Sequence, residues 1–335
     1  MSVKRILRDL LLTPKVPPRL AANFRPLDAA GHARVQRALR THYYAERLGF
    51  LETDAGRKAL RDHTIGRIEL DRIWVIPWLD ATRSLEGLRV LEIGCGTGSS
   101  TVAIAEQGAR VTALDPHGPS LEVARERLAT YGLHVELVEG NGTEIETLFA
   151  GRVFDFILFH ACIEHMTLDE RLVTIRSSWK MLPAGALWGL TETPNRLWWL
   201  DGHSSHLPLF HWLPDDLAIR YAKFSPREDF RERFHEPSPE ALHAFYRYGR
   251  GVSFHEFELA LGPRDGWTVV SCRRLFHRRE RPVRAWRRRF TKAGRYERTL
   301  ASLLPDVPRA FLLPSLDLVL RKGSAGPASD DPAVR

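Results

Sequence analysis

The sequence predicts an α/β protein built on a doubly wound, mostly parallel sheet. Three observations predict it. A short apolar strand at Arg89–Ile93 runs into a glycine turn and a helix start. From Arg110 to Thr191, strand-like and helix-like segments alternate regularly. Phe154–Phe159 is a continuous apolar run, as a parallel central strand covered on both faces requires.

Composition sets the limits. The chain has 335 residues, 44% of them hydrophobic, enough for a substantial core and a further module. Cys95, Cys162 and Cys272 are too few and odd in number for a disulfide framework, which fits a reducing, cytoplasmic setting. Leu10-Leu11-Leu12 is far too short for a signal peptide or a membrane span. The net charge of +8 is concentrated: Arg273 to Arg298 holds twelve Arg or Lys against two Glu. The remainder is close to neutral, so any electrostatic partner is localised.

The elements follow in order. Residues 1–25 are basic and proline-punctuated, an arm or short helix. From Ala29 to Trp78 the spacing is helical, with Val35, Leu39 and Tyr43 on one face and Ile65, Ile68, Arg72 and Val75 on another. Arg57, His63 and Arg67 are read as a solvated helix face, with substrate contact as the sharper alternative. After strand 89–93, Thr97 or Ser99 is a candidate cap for a helix that stops at Gly108. Arg110 to Asp115 is the second strand, and Ser120 to Tyr131 a helix stopped by Gly132. Val135 to Val138 is the third strand. His160-Ala-Cys-Ile-Glu164-His165 leaves the fourth strand, where open α/β sheets bind ligands. Thr167 to Met181 is a helix, and Ala186 to Thr191 the fifth strand.

The turn Gly94-Cys-Gly96-Thr-Gly98 is spaced G-x-G-x-G, with Ser99 at the third dinucleotide-fingerprint position. No Gly-Lys-Ser/Thr phosphate loop is present. Glu92 at the strand end would repel a pyrophosphate and suits a cationic ligand. Asp115 lies about 20 residues past the turn, where a β-α-β unit delivers a carboxylate to ribose hydroxyls. This stretch resembles motif I of the class I S-adenosylmethionine (SAM) methyltransferases, a Rossmann-like family. The strand followed by Glu164-His165 resembles a further motif of its small-molecule members.

The resemblance covers about residues 85–192, and 265–322 more loosely. It implies a seven-stranded sheet with a C-terminal antiparallel hairpin, Trp267 to Cys272 and Ser315 to Leu320. It also implies SAM as cofactor and S-adenosylhomocysteine (SAH) as product. The cofactor residues it points to are Glu92, Gly94, Gly96, Gly98, Asp115, Pro116, His117, Asn141, Gly142 and His160. Asn141 stands where the family usually has an acidic residue for the adenine amine; its carbonyl can accept the same bond.

The domains expected are a cap (1–84), the SAM-binding core (85–192), an acceptor-binding lid insertion (193–262), the hairpin with its basic segment (263–322) and a disordered tail (323–335). The insertion carries six histidines, His203, His206, His211, His235, His243 and His255, and is too long for a structureless loop. Helices closing over the pocket are expected. A hydroxyl acceptor needs a base, and histidine titrates near neutrality. The candidates are His165, His206, His203 and His160. Asp201, His203 and His206 lack a fourth ligand, so no metal is expected.

In the basic segment, Val283, Trp286, Phe290, Ala293, Leu300 and Leu304 fall at helical spacing. A stripe packed on the core is the simplest reading; contact with an anionic membrane surface or a lipid-linked substrate is the alternative. The function expected is methyl transfer to an oxygen, hydroxyl or carboxylate, of an organic small molecule or lipid-like acceptor. Nucleic-acid methylation through residues 273–298 and non-catalytic SAM binding are the alternatives. No nucleic-acid-binding motif supports the former.

Overall fold

The computed structural model describes residues 15–234, 237–279 and 286–323. His235, Val283, the start of the N-terminal arm and residues 324–335 of the expected tail lie outside them. Among the described residues seven strands form: β1 (Arg89–Ile93), β2 (Arg110–Asp115), β3 (Glu136–Glu139), β4 (Phe156–His160), β5 (Leu187–Pro194), β6 (Trp267–Cys272) and β7 (Ser315–Lys322). They make one sheet in the order β3-β2-β1-β4-β5-β7-β6. The pairs β1/β2, β2/β3 and β4/β5 are parallel, whereas β7 runs antiparallel to β5 and β6. The expected mostly parallel sheet with an antiparallel end is therefore present. Among the described residues, no helix is long and apolar enough to cross a membrane.

The chain divides into two compact units: Met1–Asn141 with Phe276–Arg281, and Gly142–Leu275 with Pro282–Arg335. In the first, β1 and β2 are buried along nearly their whole length because both faces are covered, so their sequences read as apolar runs. The N-terminal helices start where short polar side chains take up free amides. Asp28 accepts from the Gly31 N–H at 2.7 Å and Thr53 from the Gly56 N–H at 3.0 Å. Val35, Leu39, Ile68, Arg72 and Val75 are buried, as their spacing predicts. Arg72 is buried because Glu106 meets it with two bonds, 2.8 and 2.6 Å. The helix Ser99–Ala105 starts differently from expectation. Its N-cap is Gly98 in a left-handed conformation, and neither Thr97 nor Ser99 caps it.

In the second unit the helix Leu168–Met181 opens with a capping box, Thr167 with Glu170. Residues 193–262 do form helices: Asp215–Tyr221, Glu228–Arg233, Pro239–Arg247 and Phe254–Leu261. They enclose a small core of Leu207, Phe210, Ala218, Ile219, Ala222, Phe230, Phe234 and Phe245. Arg250 lies 5.2 Å from both the Phe210 and Phe245 rings. These aromatics thus serve the insertion's own packing; Trp212 and Phe224 remain exposed.

The basic segment departs from the packed stripe. Trp286 is 58% and Phe290 68% exposed, their rings in edge contact at 5.1 Å. Of the expected stripe Leu300 is buried, together with Gly294 and Glu297 of the helix Lys292–Leu303. Gly294 sits where any Cβ would meet the Arg288 carbonyl oxygen at 2.0 Å.

Candidate functional site

In the first unit, β1 delivers the chain into the glycine turn. Gly94, Gly96 and Gly98 have φ of 78°, 51° and 77°, a region that costs other residues about 1–2 kcal/mol. The Gly94 and Cys95 N–H groups donate to the Leu114 carbonyl at 2.8 and 3.2 Å, tying the turn to β2. A Cβ on Gly98 would come within 3.0 Å of the Ala124 Cβ, so this glycine lets the turn close on the helix Gly118–Thr130. A Cβ on Gly96 would meet nothing within 4 Å. Bare main chain there faces open space, room for a ligand.

Asp115, at the end of β2, reaches back to this turn. Its carboxylate accepts from the Gly96 N–H at 2.8 Å and from the His117 N–H at 2.9 Å. Each oxygen keeps lone-pair capacity for a further donor such as a ribose hydroxyl. Burial raises the Asp115 pKa, and the amides of His117 and Gly96 oppose that rise. Glu92 is fully buried and accepts from the hydroxyls of Ser100 and Thr101. Pro116 and His117 are exposed, and His117 Nδ1 pairs with Ser120 Oγ at 2.7 Å. Asn141 is half-buried after β3.

Arg127 was not singled out by sequence reasoning. It is fully buried, and its guanidinium donates to the carbonyls of Thr97 (2.7 Å), Thr64 (2.9 Å) and His63 (2.6 Å). It therefore fastens the glycine turn to the N-terminal helices. Burial lowers its pKa to about 10, leaving it charged at neutral pH. The available signal was its place seven residues after Ser120 and three after Ala124, on the inward face of its helix. His63, expected on a solvated face, is buried, and its Nδ1 has no hydrogen-bond partner among the described residues. Burial first, then Arg67, Arg127 and Arg47, lower its pKa to about 3.

In the second unit the ends of β4 and β5 carry two residues in the left-handed region, Ala161 (φ 47°) and Glu192 (φ 59°). His160 pairs through Nδ1 with Thr191 Oγ1 at 2.8 Å across these strands. Gly142 is buried, and a Cβ there would press on Thr174 and Met166 at 3.0 and 3.2 Å, so its local role is packing.

The turn Ile163–His165 is clamped by buried Arg171, which donates to the carbonyls of Ile163 (3.0 Å) and Met166 (3.2 Å) and pairs with Glu256 (2.8 Å). Glu164 is fully buried. Its Oε2 accepts from Thr193 Oγ1 at 3.0 Å; its Oε1 has no hydrogen-bond partner among the described residues. The Nε2 atoms of His165 and His203 each lie 3.9 Å from that oxygen. The structure thus brings His165 and His203 together. His206 stands exposed at φ 56°.

Asp201 is buried and accepts from the amides of His203, Ser204 and Ser205 at 2.8, 3.0 and 2.6 Å. His211 Nε2 lies 3.2 Å from its Oδ1. This carboxylate shapes the loop that presents His203 and is not aimed at a ligand with His206.

The glycine turn, the Asp115 strand end and the sheet order define the class: the chain carries a class I SAM-dependent methyltransferase domain. Residues 90–185 match the family described as "Methyltransferase domain". A ubiquinone biosynthesis O-methyltransferase from Methylocella silvestris is 41% identical over 87 residues, 26% of this chain and 33% of that protein. A cypemycin N-terminal methyltransferase from a Streptomyces species is 43% identical over 67 residues, 20% of this chain and 26% of that one. The chain thus spans a third or less of either relative's length. A magnesium protoporphyrin IX methyltransferase from Synechocystis, solved with bound SAH, aligns over 71% of this chain and 90% of its own at a TM-score of 0.43 and 16% identity.

Proposed function

We propose that the protein transfers a methyl group from SAM to an oxygen, of a hydroxyl or a carboxylate, on an organic small molecule or lipid-like acceptor. The observation that carries this reading is the turn Gly94–Gly98 with Asp115 bonded back to it inside a methyltransferase domain. When bound, SAM supplies a methyl on a sulfonium, and its transfer to a hydroxyl leaves SAH and one proton. Asp115 accepts the ribose hydroxyls, and Gly96 presents bare main chain beside them. Glu92, Gly94, Gly98, Pro116, His117 and Asn141 complete the proposed cofactor set of the first unit.

Oxygen as the acceptor atom is supported by the several relatives named as O-methyltransferases. A hydroxyl acceptor must lose its proton, to a group of this chain or to solvent, whereas a carboxylate needs no base. The second unit offers the Glu164–His165–His203 cluster, whose imidazoles are partly exposed. It is the proposed place of proton removal, ahead of His160 and His206. Residues 195–262 are proposed to select the acceptor.

The test is incubation of the protein with labelled SAM and a metabolite extract, followed by mass analysis. The expected result is a small-molecule product heavier by one CH2 unit, with SAH formed in equal amount. SAH binding with label only on tRNA or DNA would replace this reading by nucleic-acid methylation. Absence of SAM and SAH binding would remove both.

A further inference from the structure

We propose that Glu164, His165 and His203 form a binding site for a divalent transition-metal ion, with zinc the best match to the donor set. The proposal deepens the reading of this cluster as the place where the acceptor is activated, and metal binding itself is independent of that reading. It departs from the expectation of no metal. That expectation weighed Asp201 with His203 and His206, whereas the carboxylate that meets the imidazoles is Glu164.

One ligand atom from each of the three residues lies within 4.8 Å of the other two. Glu164 is the decisive member. Burying a carboxylate oxygen without a partner costs several kcal/mol unless a cation or proton relieves it. Here Oε1 is buried, unpartnered and aimed between two imidazole nitrogens. A tetrahedral zinc with bonds of about 2.0–2.1 Å sets its ligand atoms about 3.3 Å apart. The two 3.9 Å separations from Glu164 Oε1 would contract by about 0.6 Å, and the imidazole nitrogens, within 4.8 Å of one another, would close to about 3.3 Å as well. Two histidines and one glutamate leave a fourth position open, the arrangement of zinc sites that activate an oxygen.

The surroundings orient each ligand. His165 Nδ1 lies 2.9 Å from the Arg247 carbonyl; donating there puts the proton on Nδ1 and leaves the Nε2 lone pair facing Glu164. Thr193 holds Glu164 Oε2 and so turns Oε1 to the centre. Gly249 makes room for His203: at φ 114°, a Cβ there would lie 2.9 Å from His203 Cδ2 and 3.0 Å from Nε2. Arg171 fixes the turn that carries Glu164 and His165. With the fourth position taken by an acceptor hydroxyl, the cation would lower that hydroxyl's pKa, and the proton would pass to solvent.

The experiment uses the full chain, treated with chelator and then titrated with Zn(II) or Co(II) without SAM or acceptor. Calorimetry is expected to give one site per chain, and Co(II) the visible bands of a four-coordinate ion. His203→Ala and Glu164→Gln should each weaken binding at least a hundredfold. Thr193→Val should weaken it about 10–100-fold, with Thr193→Ser restoring it, the behaviour of an orienting group. Circular dichroism checks folding; if Glu164→Gln unfolds, His203→Ala on the loop still decides. No stoichiometric binding of either ion, or binding indifferent to these variants, overturns the proposal. Metal binding without methyl transfer would leave the site standing and remove only its assigned purpose. Methyl transfer at full rate in the chelated, metal-free protein would show that the cluster works through its own bases.

Discussion

Asp115→Ala separates the two duties of one carboxylate. In the folded chain Asp115 accepts the Gly96 and His117 amides at 2.8 and 2.9 Å, and its free lone pairs are assigned to the ribose. A hydrogen bond to a charged acceptor is worth about 1.5–3 kcal/mol, so losing the ribose bond should weaken SAH binding roughly 10–150-fold. Removing the carboxylate also strands two amides, at about 1–3 kcal/mol for each one fully buried. Gly96 is only half-buried and His117 exposed, so the stability loss should fall near the lower end, about 1–2 kcal/mol. Calorimetry with SAH reads the first quantity and thermal unfolding of the ligand-free protein the second. Asp115→Asn keeps one acceptor oxygen and should fall between parent and Ala in affinity. Because burial raises this carboxyl's pKa, the charged acceptor is present above that raised value and lost as pH falls through it. SAH affinity should therefore drop on acidification in the parent and stay flatter in the Asn variant. Unchanged SAH affinity in Asp115→Ala, with a lowered melting temperature, would refute the ribose assignment and leave the residue a turn fastener.

Three further outcomes are expected. His63 is held neutral with a pKa of about 3, while the unfolded chain protonates it near 6.5. The unfolded state thus binds the extra proton between these values, and stability falls as pH drops through that window, by about 2 kcal/mol at pH 5. His63→Phe keeps the ring contacts with Tyr43 and Tyr44 and should flatten that slope in urea unfolding; an unaltered slope would exclude His63 as its source. Arg127→Met strands three carbonyls and should cost about 3–5 kcal/mol, a fall of about 10 °C in the melting temperature of a body this size; a loss below about 1 kcal/mol would mean that water replaces the guanidinium. Trp286→Ala should change stability by less than about 0.5 kcal/mol because the ring is already in solvent; a loss of 2 kcal/mol or more would show that something covers it.

What sequence reading reached and what it missed divide along physical lines. Strands β1, β2, β4 and β5 were legible because a parallel strand covered on both faces must be apolar along its whole length. The glycine turn was legible because positive φ at three alternate positions leaves almost no other residue type. The position of Asp115 at the end of β2, beside the turn, followed from the length of one strand–helix–strand unit. Arg127 was obscured because its partners are carbonyls, which every residue carries and no pattern reveals. Likewise the pairing of Glu164 with His203 joins positions 39 apart, and Gly249, which makes the seat for one of them, lies farther on. The stripe at Trp286 and Phe290 had the correct spacing for a packed helix. It was read wrongly because spacing sets which residues share a face, not which face turns inward.

The first unit is not contiguous in the chain: it takes in Phe276–Arg281. Within it His277 Nε2 lies 2.9 Å from the Trp74 carbonyl oxygen, and the two rings sit 5.0 Å apart. During synthesis Trp74 leaves the ribosome 203 residues before its partner. At about 5–20 residues per second, that is a wait of roughly 10–40 s. A nascent chain ending at Asn141 holds the glycine turn, Asp115 and Arg127, yet must do without the His277 clasp.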